Sequence, residues 1–258
     1  MKNGSRVFAA MCCLAGLILA AAIFAVRADA PQSQMVTFPG ASGATVSAYL
    51  ATPEKPGHYP ALVVVHEWWG LTDWVKEETQ KLADQGYVAL AVDLYRGKVT
   101  SDPEEAHELM RGLPQDRAVS DLKSAFAYLA TRNDVDHTHI GVIGWCMGGG
   151  LALQLAIHEP RLAACVVNYG ALPTDPNDLQ QIFAPILGNF GAEDRGITPD
   201  DVHEFEKTMQ NMKRRVDVKI YDGAGHAFEN PTNTNGYRPA AAADAWSRTL
   251  AFLNKTMK

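Results

Sequence analysis

The chain has 258 residues, with 29 acidic against 23 basic side chains, a net charge of −6 and 47% hydrophobic residues. Mild acidity with no basic stripe and no interleaving of aromatic and basic residues argues against a nucleic-acid binder. The length suits one large domain with a substantial core.

The N-terminal segment reads as a targeting signal and not as part of the fold. Lys2 and Arg6 precede an apolar run over residues 7–26, and small residues follow at Ala28 and Ala30. A positive start, a hydrophobic middle and small residues near a cut are the layout of a secretory signal. Cleavage after Ala28 puts Val26 at −3 and Asp29 first in the mature chain. A cut after Ala30 would put Pro31 next, which suits the peptidase poorly. The expectation is a signal peptide over 1–28 and a single domain over 29–258, exported to the periplasm or beyond and free of the membrane once cut. The run is long enough to span a bilayer, so a retained anchor is the alternative. Cys12 and Cys13 leave with the signal, while Cys146 and Cys165 stay. Two cysteines do not make a disulfide scaffold.

Short β-type runs flank Gly40-Ala41-Ser42-Gly43, which predicts an N-terminal hairpin between residues 35 and 51. Strands and helices then alternate. The apolar run 61–65 predicts a strand, 74–83 a helix and 87–92 a second strand. Residues 103–110 and 116–130 predict one or two helices. The strand 140–143 and a helix from Gly148 follow, then a strand around Cys165 and a loop over 171–183. A strand over 185–190, a helix over 199–212, a strand over 216–220 and a closing helix over 238–254 complete the chain. Strands apolar throughout and alternating with helices imply a mainly parallel, twisted sheet with helices on both faces.

In such sheets, sites form beyond the C-terminal ends of the strands. The segments expected there are His66-Glu67-Trp68-Trp69-Gly70, Asp93-Leu94-Tyr95-Arg96, Gly144-Trp145-Cys146-Met147-Gly148, Glu193-Asp194 and Gly225-His226-Ala227-Phe228. The third reads G-x-C-x-G, a nucleophile elbow with cysteine in place of serine. Glycines two before and two after the nucleophile leave room for a strained turn and a closely packed helix. Cys146, Asp194 and His226 follow one another in the chain order of the α/β-hydrolase triad. In that reading Cys146 attacks a carbonyl as thiolate and forms an acyl-enzyme. His226 moves the proton, and Asp194 orients the imidazole, with Glu193 as the competing acid. The backbone amides of Met147 and Trp68 are the candidate oxyanion donors. Trp68, Trp69 and Tyr169 either line a substrate pocket or simply pack. Cys165, in an apolar run, reads as a buried hydrophobe.

The segments His66-Glu67-x-x-Gly70, Asp93-Leu94-Tyr95, Gly144-x-Cys146-x-Gly148-Gly149, the Asp194 loop and Gly225-His226-x-Phe228 together resemble the dienelactone hydrolase family, over roughly residues 35–255. The resemblance implies an α/β-hydrolase fold with a Cys-His-Asp triad, no metal and no cofactor. Its small-molecule substrate would be an ester or a lactone such as the dienelactones that carboxymethylenebutenolidases open. It gives Glu67 a role in generating the thiolate through contact with the nucleophile when substrate binds. His66 and Glu67 lack the second histidine of an H-E-x-x-H zinc site. His137 and His139 read as loop or cap residues at the entrance to the elbow strand.

The chain departs from that pattern where the family's lactonases grip a substrate carboxylate with arginines. Arg96 stands near one such position but displaced by a residue. The other, four residues after the histidine, is Asn230, with Arg238 further along the same segment. Asparagine offers no charge for a carboxylate. The expected activity is therefore an exported, monomeric esterase or lactonase whose substrate need not be dienelactone. The alternatives are a thiol-based redox protein using Cys146 and a non-catalytic binding protein on the hydrolase fold.

Overall fold

The computed structural model of the protein describes residues 33–40 and 43–258. The signal segment expected over 1–28, and Ala41 and Ser42 of the hairpin turn, lie outside the described residues. In chain order the elements are β1 (Ser33–Pro39), β2 (Thr45–Ala51), β3 (Tyr59–Val65), α1 (Asp73–Asp84), β4 (Val88–Val92), α2 (Pro103–Arg111), α3 (Gln115–Ala130), β5 (Val135–Trp145), α4 (Met147–His158), β6 (Cys165–Asn168), α5 (Pro176–Leu179), β7 (Ile186–Gly191), α6 (Pro199–Asn211), β8 (Val216–Tyr221) and α7 (Pro239–Met257).

The strands form one eight-stranded sheet in the order β1-β2-β4-β3-β5-β6-β7-β8. β1 and β2 pair antiparallel, as the expected N-terminal hairpin, and β2 joins β4 antiparallel. Every pairing from β4 through β8 is parallel. The apolar runs explain why: β3 from Ala61, all of β4 and the elbow end of β5 are buried on both faces. On one face lie apolar residues of α3, α4 and α6, among them Leu122, Phe126, Leu153, Leu155 and Phe205. On the other lie α1 and α7, through Trp74, Val75, Leu82, Ala245 and Leu253.

Helix starts follow their caps. Thr72 accepts from the Val75 amide at the start of α1, and Asp102 accepts from Glu104 and Glu105 ahead of Pro103 in α2. Thr198 and Asp201 form a reciprocal capping box on α6. Two expectations need correction. His137 and His139 are not loop residues, because β5 already begins at Val135, which pairs with Tyr59 before a bulge. The polar run Asp136-His137-Thr138-His139 hid that strand start. The predicted loop over 171–183 contains the single-turn helix α5, capped by Asp175. Among the described residues, no helix is long and apolar enough to cross a membrane.

Candidate active site

The parallel strands deliver their C-terminal ends to one edge of the sheet, and the elbow sits there between β5 and α4. Cys146 has φ 54° and ψ −121°, a left-handed conformation uncommon for a side-chain-bearing residue. Its amide donates to the Asn168 carbonyl at 3.0 Å, which ties the turn to β6. As N-cap of α4 it makes no side-chain capping bond, so the sulfur is not occupied by the helix start. A Cβ on Gly144 would run into the Gly148 carbonyl, and one on Gly148 into the carbonyls of Val65 and His66. The two glycines therefore let α4 start directly against the β3–α1 loop.

His226 lies on the loop after β8, and its Nδ1 is 2.7 Å from Asp194 Oδ2. The remaining Asp194 oxygen accepts from the Gly196 and Ile197 amides at 2.8 and 3.1 Å. Burial alone would raise the Asp194 carboxyl, but the bond from His226 and the two amides hold it below the usual range. Burial depresses the His226 imidazole, yet its bonds to Asp194 and Cys146, with their charges, outweigh that and push it up to about 10. Cys146, His226 and Asp194 are thus brought into one chain. Glu193 is exposed and its backbone merely bonds Ala224, so Asp194 is the acid that reaches the imidazole.

Glu67 is buried, and its hydrogen-bond partners are Asn230 and Tyr169. Asn230 Nδ2 donates to Oε2 at 2.7 Å, and the Tyr169 hydroxyl donates to Oε1 at 3.4 Å. The sulfur's partner is the imidazole, and no hydrogen bond joins Glu67 to Cys146. Burial pushes the Glu67 carboxyl up to about 7 against those bonds and the nearby His226 charge. Asn230 is itself fixed, since its Oδ1 accepts from the Thr232 amide and hydroxyl at 2.9 and 2.7 Å. Tyr169, for which the sequence leaves pocket lining and plain packing both open, is wholly buried, with its ring 5.3 Å from His226 and 5.6 Å from Phe228.

Arg96 does not present a free guanidinium. Its Nη2 donates to the buried Asp121 at 2.6 Å and its Nη1 to the Asp93 carbonyl at 3.3 Å. The left-handed backbone at Arg96, φ 57°, turns the chain after Asp93, whose carboxylate accepts from the Tyr95 and Gly97 amides. Arg238 donates to the carbonyls of Gly223, Asn235 and Tyr237. Trp68 and Trp69 are half-buried with ring centroids 4.6 Å apart, and His107 from α2 meets the Trp68 ring at 4.7 Å. Met147 opens α4, where the first amides have no partner inside the helix.

Two residues carry more than their sequence context announced. His66 is wholly buried. Its Nε2 accepts from the Leu94 amide, so its Nδ1 carries the proton and donates to the Glu67 carbonyl, clamping the loops after β3 and β4 together. Glu229 accepts from the indole Nε1 of Trp145 at 3.1 Å, while its other oxygen is buried with no partner. Burial pushes that carboxyl up to about 8. The proximity of both to motif residues, beside Glu67 and three after His226, was the one signal the sequence offered. Among the described residues no three metal-ligating side chains cluster, and His139 instead pairs with Asp136 at 2.7 Å.

The model of the dienelactone hydrolase family matches residues 46–257. "Protein usf" of Aquifex pyrophilus is 33% identical over 229 residues, covering 86% of this chain and 98% of the relative. A protein of Aquifex aeolicus named "Putative carboxymethylenebutenolidase" is 32% identical over 232 residues, covering 87% and 99%. The crystal structure named "Putative Dienelactone Hydrolase" from Klebsiella pneumoniae superposes with a TM-score of 0.79 at 27% identity, over 86% of this chain and 98% of that one. The chain belongs to the dienelactone hydrolase family and is a hydrolase of lactone or ester bonds.

Proposed function

We propose that the protein is an exported ester or lactone hydrolase in which Cys146 is the nucleophile, His226 the acid–base and Asp194 the residue that orients the imidazole. The observation that carries this reading is the 2.7 Å bond from His226 to a buried Asp194 whose second oxygen is held by two amides, with the elbow cysteine close enough for its charge to raise the imidazole.

The thiol proton passes to His226, and the thiolate adds to the carbonyl carbon of the substrate. The oxyanion is received by the amides of Met147 and Trp68, one at a helix N-terminus and the other on the loop packed against it. Collapse of the tetrahedral adduct breaks the ester bond, and His226 returns the proton to the leaving alkoxide. A water then delivers its proton to His226 as it attacks the thioester, and the free acid departs as the thiol reforms. In a lactone the alkoxide remains attached to the acyl group, so both new ends leave as one hydroxy acid.

Glu67 shapes the electrostatics behind the sulfur from its seat on Asn230 and Tyr169. Among the described residues the one other thiol, Cys165, is wholly buried and burial raises it well above the usual range, which makes it a poor redox partner for Cys146. Export rests on the leader over residues 1–28. The test is a screen of mature protein against short-chain esters, thioesters and lactones, beside Cys146→Ser and His226→Ala. Wild-type turnover with an acyl adduct on Cys146, lost in both variants, is the expected result. Turnover that survives Cys146→Ala would defeat the assignment.

A further inference from the structure

We propose that the site takes an uncharged ester or lactone and discriminates against substrates carrying a carboxylate, a reading that rests on the hydrolase role of Cys146 proposed above. The charges around the sulfur are all anionic except one. With the proton on His226, the thiolate, the imidazolium and Asp194 sum to one net negative charge. Two further carboxyls lie behind this group: Glu67 bonds Asn230 and Tyr169 and meets only the His226 charge already counted, and Glu229 bonds Trp145 and faces the carboxyls of Glu67 and Glu78. In charged form these carboxyls repel an anion, and in neutral form they add no positive charge to hold one.

The polar groups that could answer such a carboxylate are committed elsewhere. Asn230 commits one amide N–H to Glu67 and its carbonyl oxygen to Thr232, which fixes its orientation, and it carries no charge to offer a carboxylate. Arg96 turns away to Asp121, and Arg238 is held by three backbone carbonyls. At the rim, Lys98 is exposed on the loop that abuts Gly70, and His107 is stacked edge-on to Trp68. A hydrated ammonium on a flexible stem is a point charge without the fork that holds a carboxylate. A cavity of about 260 Å³ is bounded by Ile197, whose amide holds Asp194, and by Leu172, Leu179 and Phe205, with Asp201 and Glu204 and no basic side chain. Beside the elbow, the loop after β3 offers the half-buried aromatic rings of Trp68 and Trp69.

The test is a matched pair in which charge changes and shape does not: 4-nitrophenyl hemisuccinate against 4-nitrophenyl succinamate, the carboxylate replaced by its primary amide. At pH 7.5 and low salt, kcat/KM is expected to be at least twentyfold higher for the amide. The gap should lie mainly in KM and narrow as salt is added. Equal values, or preference for the acid, would overturn the proposal. So would a Lys98→Ala variant that selectively loses turnover of the acid, because it would reveal a carboxylate grip at the rim. Alkylation of Cys146 by iodoacetamide and by iodoacetate, each relative to free cysteine, reads the same field without turnover. The amide reagent is expected to be favoured at least fivefold, and preference for iodoacetate would overturn the proposal. If neither ester is cleaved while that alkylation preference holds, the hydrolase role fails and the charge preference stands.

Discussion

Trp145 donates its indole N–H to Glu229 at 3.1 Å, which ties the residue before the elbow cysteine to the loop that carries His226 three positions earlier. The carboxyl that accepts this bond is buried, with its second oxygen unpartnered, and burial pushes it up to about 8. Glu67 is likewise pushed up to about 7. Both groups bind protons more tightly in the native state than in the unfolded chain. Their contribution to stability is therefore fully present below about pH 4.5 and is lost as pH rises through 7 and 8. The Cm for urea unfolding should fall between pH 5 and pH 8.5. Glu229→Gln keeps an acceptor for Trp145 without a titrating proton, so its unfolding free energy should fall about 1–3 kcal/mol less than the wild type's over this range, with a correspondingly flatter Cm profile. Parallel Cm profiles for the two proteins would show that Glu229 titrates normally.

Asp194 should matter through the imidazole and not through substrate affinity. Its carboxylate is one of the two partners that hold His226 near 10. Asp194→Asn removes the charge and reverses the preference for the Nδ1 proton, which in the triad template lowers kcat by about 10⁴. The upper limb of the pH profile for Cys146 alkylation, set by the imidazolium, should move from near 10 toward 6.5. KM should change by less than about threefold, because the side chain is buried behind His226. A large rise in KM with kcat intact would place Asp194 in substrate binding instead.

Arg96 separates a structural from a binding role. Its guanidinium pairs at 2.6 Å with Asp121, whose side chain is 1% exposed and whose second oxygen has no hydrogen-bond partner. Removing one partner of such a pair leaves an uncompensated buried charge. Arg96→Ala should therefore cost about 2–4 kcal/mol in denaturant unfolding, while KM for neutral esters stays within about twofold. Arg96→Lys should recover part of the loss, since an ammonium keeps the charge without the second bond to the Asp93 carbonyl. A raised KM without loss of stability would return Arg96 to the substrate site.

The sheet was legible because its information is local. Continuous apolar runs at 61–65 and 88–92 are strands buried on both faces, and Gly144 and Gly148 flank Cys146 where a Cβ would meet backbone. The order Cys146, Asp194, His226 at one sheet edge followed from the same alternation. What escaped depends on distance in the chain. Asn230 and Glu67 are 163 residues apart and Trp145 and Glu229 are 84 apart, and no periodicity encodes either contact. Arg96 stood beside a motif, but the left-handed turn at φ 57° that sends it to Asp121 is a tertiary fact. The start of β5 was missed because its polar first half looks like a loop until Val135 is seen pairing with Tyr59.

The elbow itself holds strain that can be measured. Cys146 has φ 54° and a side chain, and such positions cost about 1–3 kcal/mol and persist only where the surroundings impose them. Its surroundings do impose it, since the amide is fixed to Asn168 and α4 begins at the next residue. Cys146→Gly removes the Cβ that makes this region unfavourable, while glycine loses about 0.5–1 kcal/mol more to the flexibility of the unfolded chain. The balance favours the variant, so its unfolding free energy should rise by about 1 kcal/mol as activity vanishes. Cys146→Ala, which keeps the Cβ and loses only the sulfur, should be inactive without gaining stability. That contrast isolates the backbone from the thiol, and two inactive variants of equal Cm would mean that the turn is unstrained.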